Sequence, residues 1–342
     1  MRGSELGARL DAHPRFRLAS YPTPLDPLPR LSRELGRPVF IKRDDLLGPA
    51  LGGNKTRKLE YLLADARRRE ARKVVTFGGL QSNHARLTAA AARLAGLEPH
   101  LLYFDRKPDR FPGNLLLSQL LGAHMHFVPL GRHGGGMSIE STIRFARLVA
   151  WMRVGPHYFI PVGGHSWLGC LGYVRAAVEL AEQAEALGLE RAQVVVAAGS
   201  GGTLAGLLAG FALMGSAHAL LGIDVGKLFR GFPQSVARLA TELCDRLGAP
   251  HAFPPEAVPL IEGTYVAPAY GVPSPSGQAA LRRLAQSEGI LLDPVYTAKA
   301  FAGLLDLLSR GALGSEEPII FLHTGGLPAL FAFEADQLGP GP

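Results

Sequence analysis

The chain has 342 residues, 47% hydrophobic against 19% charged, with a formal charge of +7; these values suit a globular protein of about two domains with a large core. The charge comes mostly from arginine and is scattered, with no like-charge run longer than Arg67-Arg68-Arg69, which excludes the dense basic stripe of a nucleic-acid binder and leaves a bias toward small anions. Cys170 and Cys244 make neither a disulfide framework nor a CxxC metal site, no apolar run is long enough for a membrane, and residues 1–20 have arginines but no apolar signal core, so a cytoplasmic protein without a metal is expected.

A first strand is predicted at residues 39–43. Next comes Gly52-Gly53-Asn54-Lys55-Thr56-Arg57-Lys58-Leu59-Glu60, opening a helix over 56–70 with Leu59, Leu62, Leu63 and Ala66 on one face. Only seven of the 36 Lys and Arg residues are lysine. A lysine fixed and partly desolvated behind a Gly-Gly-Asn turn can lose its proton and attack a carbonyl; an ordinary surface lysine at a helix start is the alternative. A strand at 74–77 then meets Gly78-Gly79-Leu80-Gln81-Ser82-Asn83-His84 and a helix over 83–94. Ser82 or Asn83 reads as an N-cap, and the free N–H groups there can hold a carboxylate. His84 reads as a helix-surface or packing residue rather than a base. A strand at 100–104, a loop at 106–112, a helix at 115–121, a strand at 126–130, a helix at 139–153, a strand at 158–162 and a helix at 172–187 follow.

The apolar strand at 193–198 runs into Gly199-Ser200-Gly201-Gly202-Thr203 and a helix over 204–214. A helix start behind such a turn offers unpaired N–H groups and a positive dipole end to phosphate, and Ser200 and Thr203 add hydroxyls. A dinucleotide site is the competitor, because Gly199 and Gly201 fit G-x-G-x-x-G and Asp224 ends the next strand, at 219–224; Leu204 stands where the third glycine belongs. No ATP-type loop is present. Helices at 234–247, 277–288 and 298–309 surround a loop at 249–270, with Asp293-Pro294-Val295-Tyr296-Thr297 before the last helix; a strand at 319–322 leads into His323-Thr324-Gly325-Gly326. The alternation predicts an α/β fold with largely parallel sheets. A Schiff-base lysine, a phosphate cup and a partner for a ring nitrogen are what pyridoxal phosphate needs from a protein.

From about residue 21 to 335 these motifs resemble the 1-aminocyclopropane-1-carboxylate deaminase / D-cysteine desulfhydrase family, in the tryptophan-synthase-β-like group of pyridoxal-phosphate enzymes. The resemblance rests on Lys42-Arg43-Asp44-Asp45, the run from Gly52 to Glu60, Gln81-Ser82-Asn83, Gly163-Gly164 with Leu171-Gly172-Tyr173, the Gly199–Thr203 loop, Asp293 to Tyr296 and His323 to Gly326. It implies two open, mostly parallel twisted-sheet domains with the cofactor between them: a large one of residues 1–56 and 166–342, and a small one of 57–165. It further implies that Lys55 holds the cofactor, beside Asn54, and that Lys58 reaches its phosphate together with Gly199, Ser200, Gly201, Gly202 and Thr203. Asn83 would bond the ring hydroxyl and Tyr296 lie against the ring. Thr324, with Thr297 as the other candidate, would partner the ring nitrogen. Ser82 would bind the substrate carboxylate and assist proton transfer, Tyr270 would face the substrate, and Asn83, His84 and Thr297 would complete the substrate side.

Family deaminases carry Glu after the Asp-Pro-Val-Tyr tyrosine; Thr297 is the desulfhydrase choice. The implied reaction is β-elimination of D-cysteine, or a similar small β-substituted amino acid, to pyruvate, ammonia and sulfide by a homodimer. The alternatives are a deaminase giving 2-oxobutanoate and, more remotely, an NAD-dependent dehydrogenase. The chain departs from the pattern at Gly78-Gly79-Leu80, at His165 where Ser is usual, and through residues 125–161, which include Arg132, His133 and Trp151.

Overall fold

The computed structural model describes residues 1–129, 136–314 and 316–338; the last residue of the expected 126–130 strand, Arg132 and His133 lie outside these. The chain opens with α1 (Gly3–Asp11), β1 (Leu25–Pro27), α2 (Pro29–Leu35) and β2 (Val39–Lys42). α3 (Lys55–Arg68), β3 (Lys73–Gly78), α4 (Asn83–Leu94), β4 (Glu98–Tyr103), α5 (Asn114–Leu120), β5 (His124–Phe127), α6 (Ile139–Val154) and β6 (Tyr158–Phe159) follow. The last part runs α7 (Trp167–Ala186), β7 (Gln193–Ala198), α8 (Gly202–Met214), β8 (Ala219–Asp224), α9 (Phe232–Arg246), β9 (Leu260–Ile261), α10 (Pro275–Glu288), α11 (Thr297–Ser309) and β10 (Ile319–Leu322).

The strands make a six-stranded sheet of order β1-β2-β10-β7-β8-β9 and a four-stranded sheet of order β5-β4-β3-β6. All pairings are parallel except β1 with β2, so the fold is the α/β architecture that the alternation implied. The apolar run of β7 is explained by burial on both faces. Val194, Val196 and Ala198 join the core under α1, α7, α8 and α9, while Val195 and Ala197 join the core under α2, α10 and α11. β10 divides the same way, Ile320 and Leu322 against Ile319 and Phe321, as a period of two requires. In the smaller sheet Val74 packs under α3 and α4, and Val75 and Phe77 under α6.

Some elements differ from the sequence expectation for local reasons. α7 begins at Trp167, ahead of the expected residue 172, because Ser166 caps it: its Oγ accepts the Gly169 N–H at 3.3 Å. Gly172 weakens helix propensity, but its role is close approach, since a Cβ there would strike the backbone of Arg57 in α3. α1, α2 and the two-residue β9 were too short to register as periodic patterns. Among the described residues no helix is long and apolar enough to cross a membrane.

Candidate active site

Residues at or just past the C-terminal ends of β3, β4, β7 and β10 line one cavity of about 240 Å³, the place where parallel sheets gather helix N-termini and turns. Lys55 opens α3 on its wall. The turn before it is held by Arg86 of α4, whose guanidinium donates to the Ala50 carbonyl and, at 3.1 Å, to that of Gly52. Burial pushes the Arg86 pKa down to about 9. The Asn54 N–H donates to the Thr324 carbonyl at 3.0 Å. Asn54 then bridges two parts of the wall: its Oδ1 accepts from Lys55 Nζ at 2.8 Å, and its Nδ2 donates to Thr203 Oγ1 at 3.1 Å. Burial first, and the charge of Lys58 second, hold the Lys55 amine well below the usual lysine range.

Lys58 lies one helical turn on, fully buried, with Nζ donating to the Gly163 carbonyl at 3.0 Å. A Cβ on Gly202 would come within 2.8 Å of that Nζ and of Cys170 Sγ, so the amine rests against the first turn of α8. Among the described residues, no carboxylate forms an ion pair with Lys55 or Lys58. Burial lowers the Lys58 pKa, and the nearby Cys170 thiol opposes this. Gly199, Ser200, Gly201 and Thr203 line the cavity at the same helix start, with Gly201 left-handed as the cap; Gly202 sits behind them in the first turn. His165 supports this turn from below: its Nδ1 donates to the Ser200 carbonyl at 2.6 Å, while burial, then Lys58, push its pKa down to about 4.

Across the cavity Ser82 caps α4, its Oγ accepting the Ala85 N–H at 3.2 Å and keeping its own proton to donate. Asn83 Oδ1 accepts from Asn114 Nδ2 at 3.0 Å, and Asn114 Oδ1 accepts from Arg86 Nε at 3.0 Å. Arg86 therefore steadies both the lysine turn and the Ser82-Asn83 turn. His84 lines the cavity but faces Thr76: that hydroxyl donates to the Ile160 carbonyl at 2.8 Å, so it accepts from His84 Nε2–H at 2.9 Å and leaves Nδ1 bare and unpartnered. Burial, then Lys55 and Lys58, keep the ring neutral. Tyr296 and Tyr270 meet through their hydroxyls, rings edge-on with centroids 5.9 Å apart; burial raises both pKas, Tyr296 well above the usual value.

Thr324 is on the cavity wall; Thr297 is not. The resemblance put Thr297 on the substrate side; in the structure its hydroxyl is engaged by Asp293. It is fully buried, and its Oγ1 donates to Asp293 Oδ1 at 2.6 Å and accepts the Asp293 N–H at 2.9 Å. The Asp293 carboxylate accepts the N–H groups of Val295, Tyr296 and Thr297 as well, so Thr297 belongs to the start of α11. Sequence reasoning missed Arg86, Asn114 and the wall residues Phe104, Asp105, Thr142, Leu228 and Phe229. For Phe104 and Asp105 a signal existed in their place just past a parallel strand; Arg86 looks like an ordinary helix charge, and Asn114 carries no local mark.

Residues 16–325 match the model of a family described as pyridoxal-phosphate dependent enzyme. The chain is 42% identical over 331 residues to a D-cysteine desulfhydrase of Klebsiella pneumoniae strain 342, covering 95% of this chain and 97% of that one. A solved structure described as an ACC deaminase homologue superposes with a TM-score of 0.86 at 39% identity, covering 98% of each chain. Diaminopropionate ammonia lyase from Escherichia coli shares the fold at 16% identity, with a TM-score of 0.67 over 96% of this chain and 90% of that one.

Proposed function

The chain belongs to the pyridoxal-phosphate-dependent enzyme family, and from that premise we propose a lyase that eliminates the β-substituent of D-cysteine or a similar small amino acid. The observation that carries this is the convergence on one cavity of a lysine amine without a carboxylate partner, the Ser82-capped start of α4 and the glycine-led start of α8. The donor set fits the cofactor: an anion seat at α8 closed by the unpaired Lys58, an amine at Lys55 and a neutral hydroxyl at Thr324. Pyridoxal phosphate, when bound, supplies a sink for the electron pair left at the substrate Cα.

In this reading Lys55 holds the cofactor and then serves as the base for the α-proton, a task suited to an amine kept neutral by burial and Lys58. Lys58 with Gly199, Ser200, Gly201, Gly202 and Thr203 holds the phosphate, and Asn83 the ring hydroxyl. Asn54 aims Lys55. Thr324 partners the ring nitrogen, and a hydroxyl there, in place of a carboxylate, favours elimination over transamination. Ser82 Oγ and the first N–H groups of α4 receive the substrate carboxylate. Tyr296 backs the ring, and Tyr270, a protonated phenol, gives its proton to the departing sulfur. D-cysteine and water thus become pyruvate, ammonia and hydrogen sulfide.

We read residues 1–56 with 166–342 and residues 57–165 as two domains that close over the substrate and exclude water. We also read the protein as a cytoplasmic homodimer. Its free, buried cysteines suit a reducing compartment, and the exposed Leu148, Trp151 and Met152 of α6 suit an interface; sedimentation would check the assembly. The deciding assay is sulfide and pyruvate release from D-cysteine, with L-cysteine in parallel. D-selective release of both products supports the reading. The similarity to an ACC deaminase homologue favours one second reading, which 2-oxobutanoate formed from the cyclopropane amino acid would establish.

A further inference from the structure

β4 and β5 run parallel, with His100 opposite His124 and Leu102 opposite His126. Alternate residues of a strand share a face. The spacings Glu98-x-His100 and His124-x-His126 therefore put four metal-binding side chains on one face of this outer strand pair. Their atoms meet. Glu98 Oε1 is 2.9 Å from His100 Nε2 and 3.1 Å from His124 Nε2, and His100 Nδ1 is 3.0 Å from His126 Nε2. Among the described residues, Glu98, His100 and His124 are the one group of His, Cys, Asp or Glu whose ligating atoms gather within 4.8 Å. They sit at the end of β4 away from Phe104 and Asp105, which line the cofactor cavity, so the elimination chemistry has no use for them.

We propose that Glu98 Oε1, His100 Nε2 and His124 Nε2 bind a divalent transition metal of the zinc type, with His126 orienting His100 from behind. Two imidazoles and one carboxylate suit zinc and disfavour the all-oxygen preference of calcium and magnesium. Bonds of about 2.0–2.2 Å to a tetrahedral zinc put ligand atoms roughly 3.4 Å apart. Each histidine–carboxylate separation is a few tenths short of that. The side chains of His124 and Glu98, 54% and 39% exposed, can open by this amount, and the exposed His124 ring, stacked on His100 with centroids 4.6 Å apart and planes 17° from parallel, must turn for both Nε2 lone pairs to meet one ion. With Nε2 on the metal, the proton of His100 sits on Nδ1 and donates to His126 Nε2, the kind of outer contact that fixes a ligand's tautomer. The metal would tie β5, an edge of the four-stranded sheet, to β4 and leave a coordination position to water. In the sequence the pattern is two x-spaced pairs, Glu98-x-His100 and His124-x-His126, that come together only once β4 and β5 are in register.

The test is equilibrium dialysis of the cofactor-loaded enzyme against zinc, with metal counted per chain and the thermal midpoint followed. About one zinc per chain is expected, with a raised midpoint. Glu98→Gln and His124→Ala should each weaken binding at least about tenfold, and His126→Phe about tenfold. None of the three should change turnover of the zinc-free enzyme. The proposal is overturned if wild type takes up no stoichiometric zinc, if the Glu98 and His124 variants bind it equally well, or if magnesium binds as tightly as zinc.

Discussion

The first turn of α3 carries three basic side chains with opposite fates. Arg57 faces a closed acidic cage: its Nε and Nη2 donate to Asp44 at 2.8 and 2.7 Å, its Nη1 and Nη2 to Glu179 at 2.8 and 2.9 Å. Tyr173 adds its hydroxyl to Asp44 at 2.6 Å, and Lys42 closes on Glu179. Burial works against the Arg57 charge, but the two carboxylates outweigh it and hold the pKa well above the usual value. Lys55 and Lys58, on either side of Arg57 in sequence, have no such partners among the described residues, and burial drives both pKas down. The chain gives the charge that braces the fold two carboxylates and leaves the two lysine amines beside the cavity without one.

The hardest blow to the unpaired side is Lys55→Ala. Turnover should fall by more than about 10³-fold, over 4 kcal/mol of barrier, and the visible absorption of the lysine-bound cofactor should vanish. Lys55→Met sharpens the contrast through stability. The folded pKa of Lys55 lies below its unfolded value, so between the two the unfolded chain binds more protons, and stability of the cofactor-free protein rises with pH across that window. The methionine variant should lose this slope and match or exceed wild type in urea midpoint near neutral pH. A variant less stable by more than about 1 kcal/mol would put Lys55 with Arg57 among the braces.

Arg57→Met attacks the paired side and should cost about 3–5 kcal/mol, because it strands two carboxylates in the interior. Thermal melting reads this directly. The sign of the pH dependence follows from Asp44, whose pKa is lowered against its burial by Arg57. Its contribution is present above the ordinary carboxylate value and is lost as pH falls through the folded one. The gap between wild type and variant should therefore narrow below about pH 4.

These two sides were not equally legible. The lysine turn and the Gly199–Thr203 loop are local: a glycine turn at a helix start can be read from a few consecutive residues, and β7 announces itself by an apolar run. The cage is not local. Glu179 lies 122 residues from Arg57, and nothing near either residue says that they meet. The sheet order has the same difficulty, since β2 pairs with β10 from the far end of the chain. Thr297 shows a third limit: the resemblance singles out this position because family deaminases carry Glu there, but only the structure shows that its hydroxyl bonds Asp293.

Lys58→Gln is the next test in size. If Lys58 holds the phosphate as proposed, this removes a charged partner worth about 1.5–3 kcal/mol, so cofactor affinity should fall about 10–100-fold in a titration. It also removes the second cause of the lowered Lys55 pKa, so the acidic limb of the pH–rate profile should move to higher pH. Unchanged affinity would mean that the first turn of α8 holds the anion alone.

The smallest effects separate the two threonines. Thr297→Val deletes the hydroxyl bonded to Asp293, whose carboxylate gathers the N–H groups at the start of α11. That should cost about 1 kcal/mol of stability, with kcat/KM within a few-fold of wild type. Thr324→Val removes a hydroxyl on the cavity wall and should do the reverse, lowering kcat about tenfold, or about 1.4 kcal/mol, with little change in melting. The pair is informative because both residues are buried threonines, one on the cavity wall and one bonded to Asp293. If Thr297→Val carries the larger loss of kcat, the ring nitrogen is reached from α11, and the division between bracing and ligand-facing groups runs through Tyr296 and Thr297 rather than between the helix start and the β10 turn.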